Sequence, residues 1–501
     1  MIFIHKYPFF DARHKISRWF FRGLRVCGFV VVLSLCSPIF AENVFHAGLF
    51  FDEFPPTLDV GHDIEAIGPF FYDQQKDTET TWAIPPLFSH DTDPVVESRE
   101  DDVFYPLLTY ERFGKEYRWQ FIQLFSFSGG QEPNDSEQRR FTVFPIYFQQ
   151  RSPDINDNYT ALVPFYGHLK NRLFRDDIFL VLFPLFSETR KHDVVTDNYL
   201  YPFFHLRHGD GLHGWQFWPL VGAEHKDVTT TTNGFGDTEI IGGHDKFFAL
   251  WPIHFWQNNG IGTDDPEKFR ADLPLYSYSR SPKRDSTSMA WPFFAWINDR
   301  EKKYREWEGP WPFVVVARGE GKTTTRVLPL FGRSHNDTHE SDFYLWPLYK
   351  FNRFHTGALD QQRTRILFYL FSDVIEKNTD TAAEKRRVDL WPLFTWHRDF
   401  NGNTRLQILA PVEPMLPNNR GVERNWSPLW SLWRWEHNAK SGAASQSLLW
   451  NLYRRDITAG TKKCSLLFGL FQYQSDVETN KFRLFFIPVA HSQKQPDPPV
   501  K

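Results

Sequence analysis

The sequence predicts an all-β fold, organised as one long antiparallel up-and-down meander of about 22 Pro/aromatic repeats of ~20 residues each. Three observations support this prediction. A short apolar block, usually an aromatic or aliphatic residue followed by Pro and then Leu, Phe or Ile, recurs along the chain. The segments between blocks are polar and rich in the residues of tight turns. Helical periodicity is absent, so the expected elements are strands joined by hairpins.

The composition excludes two classes of protein. Of the 501 residues, 51 are Phe, 19 are Trp and 18 are Tyr, yet 24% of the chain is charged and the mean hydropathy is -0.47. A disordered chain lacks so many bulky apolar side chains. A helical membrane protein needs apolar runs of about 20 residues. After the N-terminus, the longest such run, at 178–186, covers about half of that length.

Residues 1–41 are predicted to be a cleaved signal peptide. A segment with six basic residues and one acid, Asp11, precedes an apolar segment at 26–41, which is the order of a secretory signal. The expected cleavage follows Ala41. A short membrane anchor is the alternative, but the apolar segment is short for a membrane span. A lipoprotein signal at Cys36 is disfavoured because the residue before it is bulky.

Export determines the expected charge and redox chemistry of the mature chain. Cleavage removes a net five positive charges, so the formal net charge changes from -4 to -9. We therefore expect no nucleic-acid partner, because phosphate contacts supply most of that affinity. Two of the three cysteines leave with the signal. Cys464 is then alone, which excludes an intrachain disulfide and a cysteine-cluster metal site.

The rest of the chain is assigned to a lead-in at 42–66, a β-repeat domain at 67–490 and a polar C-terminal tail at 491–501. The 22 copies of the apolar block have a mean spacing of just under 20 residues, and four of them replace the Pro. One longer interval, 220–251, holds a Thr/Gly-rich insert to which the sequence gives no role. The Pro of the other copies lies at 69, 85, 106, 145, 164, 184, 202, 219, 252, 274, 292, 312, 329, 347, 392, 411, 428 and 488.

A closed β-barrel is the favoured architecture for this meander. Outer-membrane barrels have about 8 to 26 strands, and an exported, aromatic-rich chain without disulfides fits that class. Two observations oppose it. Pro lacks the donor for a ladder hydrogen bond, yet with one strand per repeat it would lie near the strand centre. Blocks such as 345–349 are apolar on both faces, whereas a strand around a watery lumen alternates.

The alternative architecture is a stacked-hairpin or propeller-like soluble β-repeat. In it the Pro is a corner: a short strand at 324–328 ends, Pro329 turns the chain, and the next strand begins. Two repeats would then supply four strands in about 40 residues, close to a propeller blade. The common Trp-Asp signature is missing, however, and about 11 blades exceed the usual number of 4 to 8.

No motif predicts a catalytic, cofactor-binding or metal site. The segment 319–323 ends like a phosphate-binding loop, but Val316 occupies the place of its first glycine, so a charged hairpin turn is expected. His205, His208 and His213 lie close in sequence. A strand and a turn would scatter them over two faces, so we assign no metal to them and expect no cofactor.

The expected function is that of an exported, non-enzymatic, outer-membrane β-barrel-like protein of a Gram-negative-type cell. Its role would be transport, adhesion or envelope structure, with outer-membrane lipid or envelope components as partners, and protein or glycan as further candidates. The alternative is a soluble periplasmic or secreted β-repeat scaffold that binds protein or glycan. A hydrolase on a β-repeat frame is a third reading, for which no pair of carboxylates can be singled out.

Overall fold

The apolar block builds turns, and each repeat supplies two strands. The computed structural model describes residues 50–131, 137–232, 234 and 236–493. In this part of the chain 43 strands form one antiparallel sheet in which sequence neighbours pair, so the predicted all-β meander is confirmed. The interpretation of one strand per repeat is wrong. The signal peptide predicted at 1–41 and most of the predicted tail lie outside the described residues.

The strands are short, most of them with five to eight residues. The first fifteen are β1 Asp52–Phe54, β2 Gly61–Ala66, β3 Phe71–Lys76, β4 Glu79–Ile84, β5 Phe88–Asp93, β6 Ser98–Val103, β7 Leu108–Phe113, β8 Glu116–Phe121, β9 Phe125–Gln131, β10 Glu137–Val143, β11 Tyr147–Arg151, β12 Tyr159–Leu162, β13 Tyr166–Arg172, β14 Arg175–Val181 and β15 Phe186–Lys191.

The middle of the chain contains the insert, which forms a separate two-stranded sheet, β20 with β21, while β19 pairs directly with β22. The next fifteen strands are β16 Val194–Tyr199, β17 Phe204–Gly209, β18 Leu212–Phe217, β19 Val221–Lys226, β20 Thr229–Thr232, β21 Thr238–Ile241, β22 Gly243–Ala249, β23 His254–Ile261, β24 Glu267–Asp272, β25 Tyr276–Arg280, β26 Arg284–Met289, β27 Phe294–Asp299, β28 Tyr304–Glu308, β29 Val314–Gly319 and β30 Lys322–Val327.

In the last part of the sheet, β38 and β39 pair directly, and the long connection between them contains two short helices. These are α1 Arg420–Asn425 and α2 Ser427–Trp430. The strands are β31 Phe331–Asn336, β32 His339–Tyr344, β33 Tyr349–Thr356, β34 Leu359–Ile366, β35 Phe371–Asn378, β36 Glu384–Leu390, β37 Phe394–Arg398, β38 Thr404–Ile408, β39 Trp433–His437, β40 Ala444–Leu448, β41 Tyr453–Ile457, β42 Lys462–Leu466, β43 Phe471–Ser475, β44 Thr479–Leu484 and β45 Ile487–Gln493.

Two single 3₁₀ turns, Gly68–Phe70 and Ile155–Asp157, complete the elements. No helix in the described residues combines the length and the apolar character that crossing a bilayer would require.

Pro is tolerated in every second turn because it lies between strands, and backbone hydrogen bonds join successive Pro turns. Pro329 lies in the turn between β30 and β31, where its missing N–H costs no ladder hydrogen bond. This is the corner expected in the alternative, stacked-hairpin architecture. The carbonyl of Pro329 accepts the N–H of Trp346 in the next Pro turn at 2.7 Å. Tyr201 donates in the same way to Pro184 at 2.7 Å. The Pro turns are therefore stacked and hydrogen-bonded to one another along the sheet.

The two faces of the sheet differ in chemistry. Ser89, Asp102 and Thr109 lie opposite one another on β5, β6 and β7 and are buried; we call their side of the sheet the polar face. The opposite side, here the aromatic face, carries rows of rings. Phe186 and Tyr199 lie opposite each other there, with centroids 5.3 Å apart.

A compact hydrophobic cluster lies on the polar face where that face is locally apolar. It joins the four adjacent strands β11 to β14. Its buried members are Phe148, Tyr159, Ala161, Leu169, Ile178 and Leu180.

Candidate functional site

The turns formed by the apolar blocks, here called apolar turns whether or not they contain Pro, all lie at the same edge of the sheet. In an antiparallel meander successive turns alternate between the two ends of the strands. In the main sheet of the described residues, each of the 21 apolar turns joins an even-numbered strand to the next odd-numbered one. We call this end the apolar edge. Its exposed side chains include Leu107, Leu124, Ile146, Phe165, Leu185, Phe203, Leu220, Ile253, Leu275, Phe293, Phe313, Leu330, Leu348, Leu370 and Leu393.

The apolar edge is both exposed and long. Leu275 is 75% exposed, and all the other apolar turns except the one between β40 and β41 also present large apolar side chains to the outside. With about 4.8 Å between neighbouring strands, 43 strands give an edge of roughly 200 Å. Monomeric soluble proteins rarely expose contiguous apolar patches above a few hundred Å². An edge of this length and composition indicates a contact surface.

The opposite end of the strands, the polar edge, has hairpin turns of the kind that the sequence predicts. Asp210 and Gly211 join β17 to β18, both with positive φ, as a tight two-residue hairpin turn requires. The predicted charged hairpin at 319–323 is confirmed as the turn between β29 and β30. Exceptions include Val95, Leu173, Phe174 and Val477, apolar residues that are 57% to 97% exposed in polar-edge turns.

The aromatic face continues the apolar edge and then becomes charged. On β6, Val103 is the residue next to the apolar edge, whereas Asp101 and Arg99 approach the polar edge and form an ion pair with an N–O distance of 2.7 Å. The rings of Phe186, Tyr199 and Phe204 follow one another next to the apolar turns. The apolar surface is therefore a band at one end of the sheet.

A second candidate site lies where the first strands of the sheet contact β38 to β41 and the connection that precedes β39. The polar face of the first strands, in residues 52–105, packs against residues 387–454, and we call this contact the seam. The carboxylate of Glu65 on β2 accepts from Arg434 on β39 at 2.6 Å and from Asn451 at 2.7 Å. The guanidinium of Arg454 lies 3.2 Å from the ring centroid of Phe54. These contacts join residues about 370 to 400 positions apart in the chain.

The connection between β38 and β39 fastens the seam. Arg424 on α1, 8% exposed, lies 3.1 Å from Asp102 and 3.3 Å from Asp91, and also pairs with Glu100. Trp426, the next residue after α1, donates its indole N–H to the carbonyl of Tyr105 at 2.9 Å. One buried guanidinium thus holds three carboxylates from β5 and β6.

A cavity of about 580 Å³ lies within the seam and is lined by β1 to β4 on one side and by β36 to β41 on the other. Burial raises the pKa of Asp63 to about 6, and its Oδ1 has no hydrogen-bond partner among the described residues. Burial, and then Arg387 and Arg405, lower the pKa of His397 to about 3. The cavity therefore holds a carboxyl group that readily takes up a proton and a neutral imidazole.

Electrostatics around Arg424 and Glu100 follow from the same burial. Burial alone would lower the pKa of the Arg424 guanidinium, but the three carboxylates overcome this and raise it. Burial raises the pKa of Glu100 although Arg424 opposes that shift. The cluster contains more carboxylates than guanidinium groups, so acidification changes its charge balance.

The histidines singled out in the sequence do not come together. His208 and His213 lie opposite each other on β17 and β18, whereas His205 lies on the other face. His225 binds Asp245 at 2.5 Å and His244 binds Glu224 at 2.7 Å. In the described residues no group of three or more His, Cys, Asp or Glu side chains is placed to hold a metal ion.

Cys464 is a free, half-buried thiol on β42. The insert, for which the sequence gave no role, is the hairpin of β20 and β21 on the polar-edge side, in the connection from β19 to β22.

Sequence reasoning missed the seam, because Arg424 and its partners are more than 300 residues apart and no local pattern links them. It also missed the separation of the two edges. A signal for that was present: apolar turns alternate with polar turns, which requires opposite edges once each repeat is read as two strands.

No protein-family model matches the sequence, and no curated protein matches it as a relative. Function is therefore argued from the edge and the seam themselves.

Proposed function

We propose that the protein is an exported, non-enzymatic envelope protein of the outer membrane, with a structural role, which contacts lipid through its apolar edge. A single observation carries this proposal: every apolar turn in the described residues except the one between β40 and β41 exposes large apolar side chains at the same edge, and the opposite edge is mostly polar. An edge roughly 200 Å long extends well beyond a standard protein interface, which buries only about 800 Å² on each partner. A lipid layer offers a continuous apolar partner along the whole of that length.

The strands favour insertion of this edge into part of a bilayer. A six-residue strand is about 20 Å long, whereas a spanning β-strand needs about 9 to 11 residues. On the aromatic face, the ion pair of Arg99 with Asp101 lies toward the polar edge, where it would stay in water, whereas His254 and Asp272 pair next to the apolar edge. Trp and Tyr rings near the apolar edge are typical of membrane–water interfaces.

Closure of the sheet into a barrel-like ring belongs to the same proposal. In the described residues β1 pairs only with β2, and β45 only with β44, so no ladder hydrogen bonds join the two ends. The seam supports closure by another means, because it holds the first strands against β38 to β41 through side chains.

Liposome flotation of the mature chain tests the lipid contact. We expect the protein to float with zwitterionic phosphatidylcholine vesicles, and the triple variant Leu250→Glu, Leu275→Glu, Leu330→Glu, changed at three exposed residues of the apolar edge, to float at least tenfold less. Each replaced side chain loses roughly 1 to 2 kcal/mol of apolar burial and adds a charge to desolvate. The matched control is Phe174→Glu at the polar edge, which should float like the unmodified protein.

The alternative function, a soluble scaffold that binds protein or glycan, predicts the opposite results. Release of the mature protein into the soluble periplasmic fraction without detergent, together with no flotation, would contradict the membrane proposal. Equal loss of flotation in the Leu triple variant and in Phe174→Glu would show that the apolar edge has no special role.

A further inference from the structure

Three cations lie together on the polar face of β33 and β34. Lys350 on β33 lies directly opposite Arg365 on β34, and Asn352 lies opposite Arg363. Because side chains alternate between the faces of a strand, Lys350, Arg363 and Arg365 all project from the polar face. The three are half-buried and approach one another within one strand spacing.

Among the described residues, these cations differ from the basic residues around them in having no carboxylate partner. Arg386 pairs with Asp373 at 2.7 Å, and Arg387 pairs with Asp389 at 2.8 Å. By contrast, the Nε atoms of Arg363 and Arg365 are buried without a hydrogen-bond partner in the described part of the chain. The guanidinium of Arg365 lies over the ring of a tyrosine in the adjoining turn, 5.2 Å from its centroid.

The carboxylates of Glu376 and Asp389 on this face already have other partners, and Glu376 accepts from Gln361 at 2.9 Å. Asp389 is buried, is held by Arg387 and accepts from the hydroxyl of Thr395 at 2.6 Å. Burial and the neighbouring Arg365 lower the pKa of the Arg363 guanidinium, which still stays charged at neutral pH. Like charges directly opposite on two strands are destabilising, and a buried donor without a partner costs about 1 to 3 kcal/mol.

We propose that Lys350, Arg363 and Arg365 form a binding site for a phosphate group. Two guanidinium forks and one ammonium supply the donors that phosphate oxygens accept, and a bound dianion would remove both the repulsion and the missing hydrogen bonds. Inorganic phosphate and the phosphate of a lipid headgroup share this chemistry. Lys350 and Arg365 are each one residue from the strand end at the apolar edge, so either source can reach them. The site does not depend on the proposed function.

Isothermal titration calorimetry of the mature chain tests the site with two probes, inorganic phosphate and short-chain phosphatidic acid below its critical micelle concentration. We expect binding of at least one probe, weakened at least tenfold in Arg363→Gln/Arg365→Gln. The matched control, Arg333→Gln/Lys377→Gln, removes two positive charges from the aromatic face of β31 and β35. It should bind within twofold of the unmodified protein.

Each outcome supports or overturns the proposal. Binding of both probes assigns the phosphate group itself as the ligand, and binding of phosphatidic acid alone assigns a lipid headgroup. Binding of neither probe, or equal weakening in the control variant, overturns the site. Thermal unfolding supplies a second readout, using the single variant Arg365→Gln in case the double variant does not fold. Removing the unpaired charge should raise the Tm, whereas a purely structural arginine would lower it on removal.

Discussion

Asp63 offers the sharpest test of the seam, because its burial has a calculable cost. The residue is 8% exposed, its Oδ1 has no hydrogen-bond partner in the part of the chain that the structure describes, and burial raises the pKa of its carboxyl from 3.8 to about 6. A raised pKa means that the folded state binds the proton more tightly than the unfolded state, so stability falls as pH rises from about 4 to 6. Above pH 6 the full cost applies, about 3 kcal/mol.

The neutral variant Asp63→Asn should recover this energy. At pH 7.5 we expect hydrogen exchange in the β2 and β3 peptides to slow by roughly a hundredfold relative to the unmodified protein, which corresponds to about 3 kcal/mol of local opening free energy. At pH 4 the two proteins should differ by less than 1 kcal/mol, because the carboxyl of the folded protein is then protonated. Asp59→Asn, at an exposed position lining the same cavity, is the control and should change nothing. Unchanged or faster exchange in Asp63→Asn at pH 7.5 would refute the reasoning.

Three further predictions concern the seam. Arg424→Gln leaves three carboxylates without their guanidinium and should cost about 3 to 5 kcal/mol, seen as faster hydrogen exchange in β5 and β6 but not in β26. Unaltered exchange in β5 would contradict the fastening role of α1. His397 has a pKa of about 3 in the folded protein against 6.5 in the unfolded chain, so this residue lowers the free energy of unfolding as the pH falls from 6.5 toward 3. Between pH 7 and pH 4, His397→Gln should therefore lose about 3 kcal/mol less free energy of unfolding than the unmodified protein. Urea unfolding of the seam at the two pH values measures this difference. The hydroxyls of Thr57 and Ser445 are 2.6 Å apart, so Thr57→Cys/Ser445→Cys in a Cys464→Ser background should form a disulfide on oxidation, detected by gel mobility; no crosslink would indicate that the ends are apart in solution.

The sequence allowed prediction of the class of fold because its evidence is local and repeated. A polar turn such as 319–323 and an apolar corner such as Pro329 depend on a few adjacent residues, so a one-dimensional pattern reveals them. The predicted number of strands was wrong for a physical reason. Apolar residues on both sides of Pro fit one buried strand in a sequence pattern. In the structure they form the end of one strand, an exposed turn and the beginning of the next strand.

The seam and the cation cluster could not be predicted from the sequence. Arg424 meets Asp102 across 322 positions, and a lone arginine in a short helix carries no sign of its partner. Lys350 and Arg365 are 15 positions apart in a hairpin, but their juxtaposition depends on the register, which the strand boundaries determine. Both features depend on pairing between strands, which composition and spacing do not fix.

The stacking of Pro turns makes the repeat a unit of length. Gaining or losing one copy changes the width of the sheet by two strand spacings, about 10 Å, while every remaining turn keeps the same hydrogen bonds to its neighbours. A gene encoding such a protein can therefore widen or narrow the sheet by duplication or deletion of about 20 codons without redesigning the edges. The cost falls on the seam, where the first strands must still contact β38 to β41, so the seam would set which copy numbers are viable.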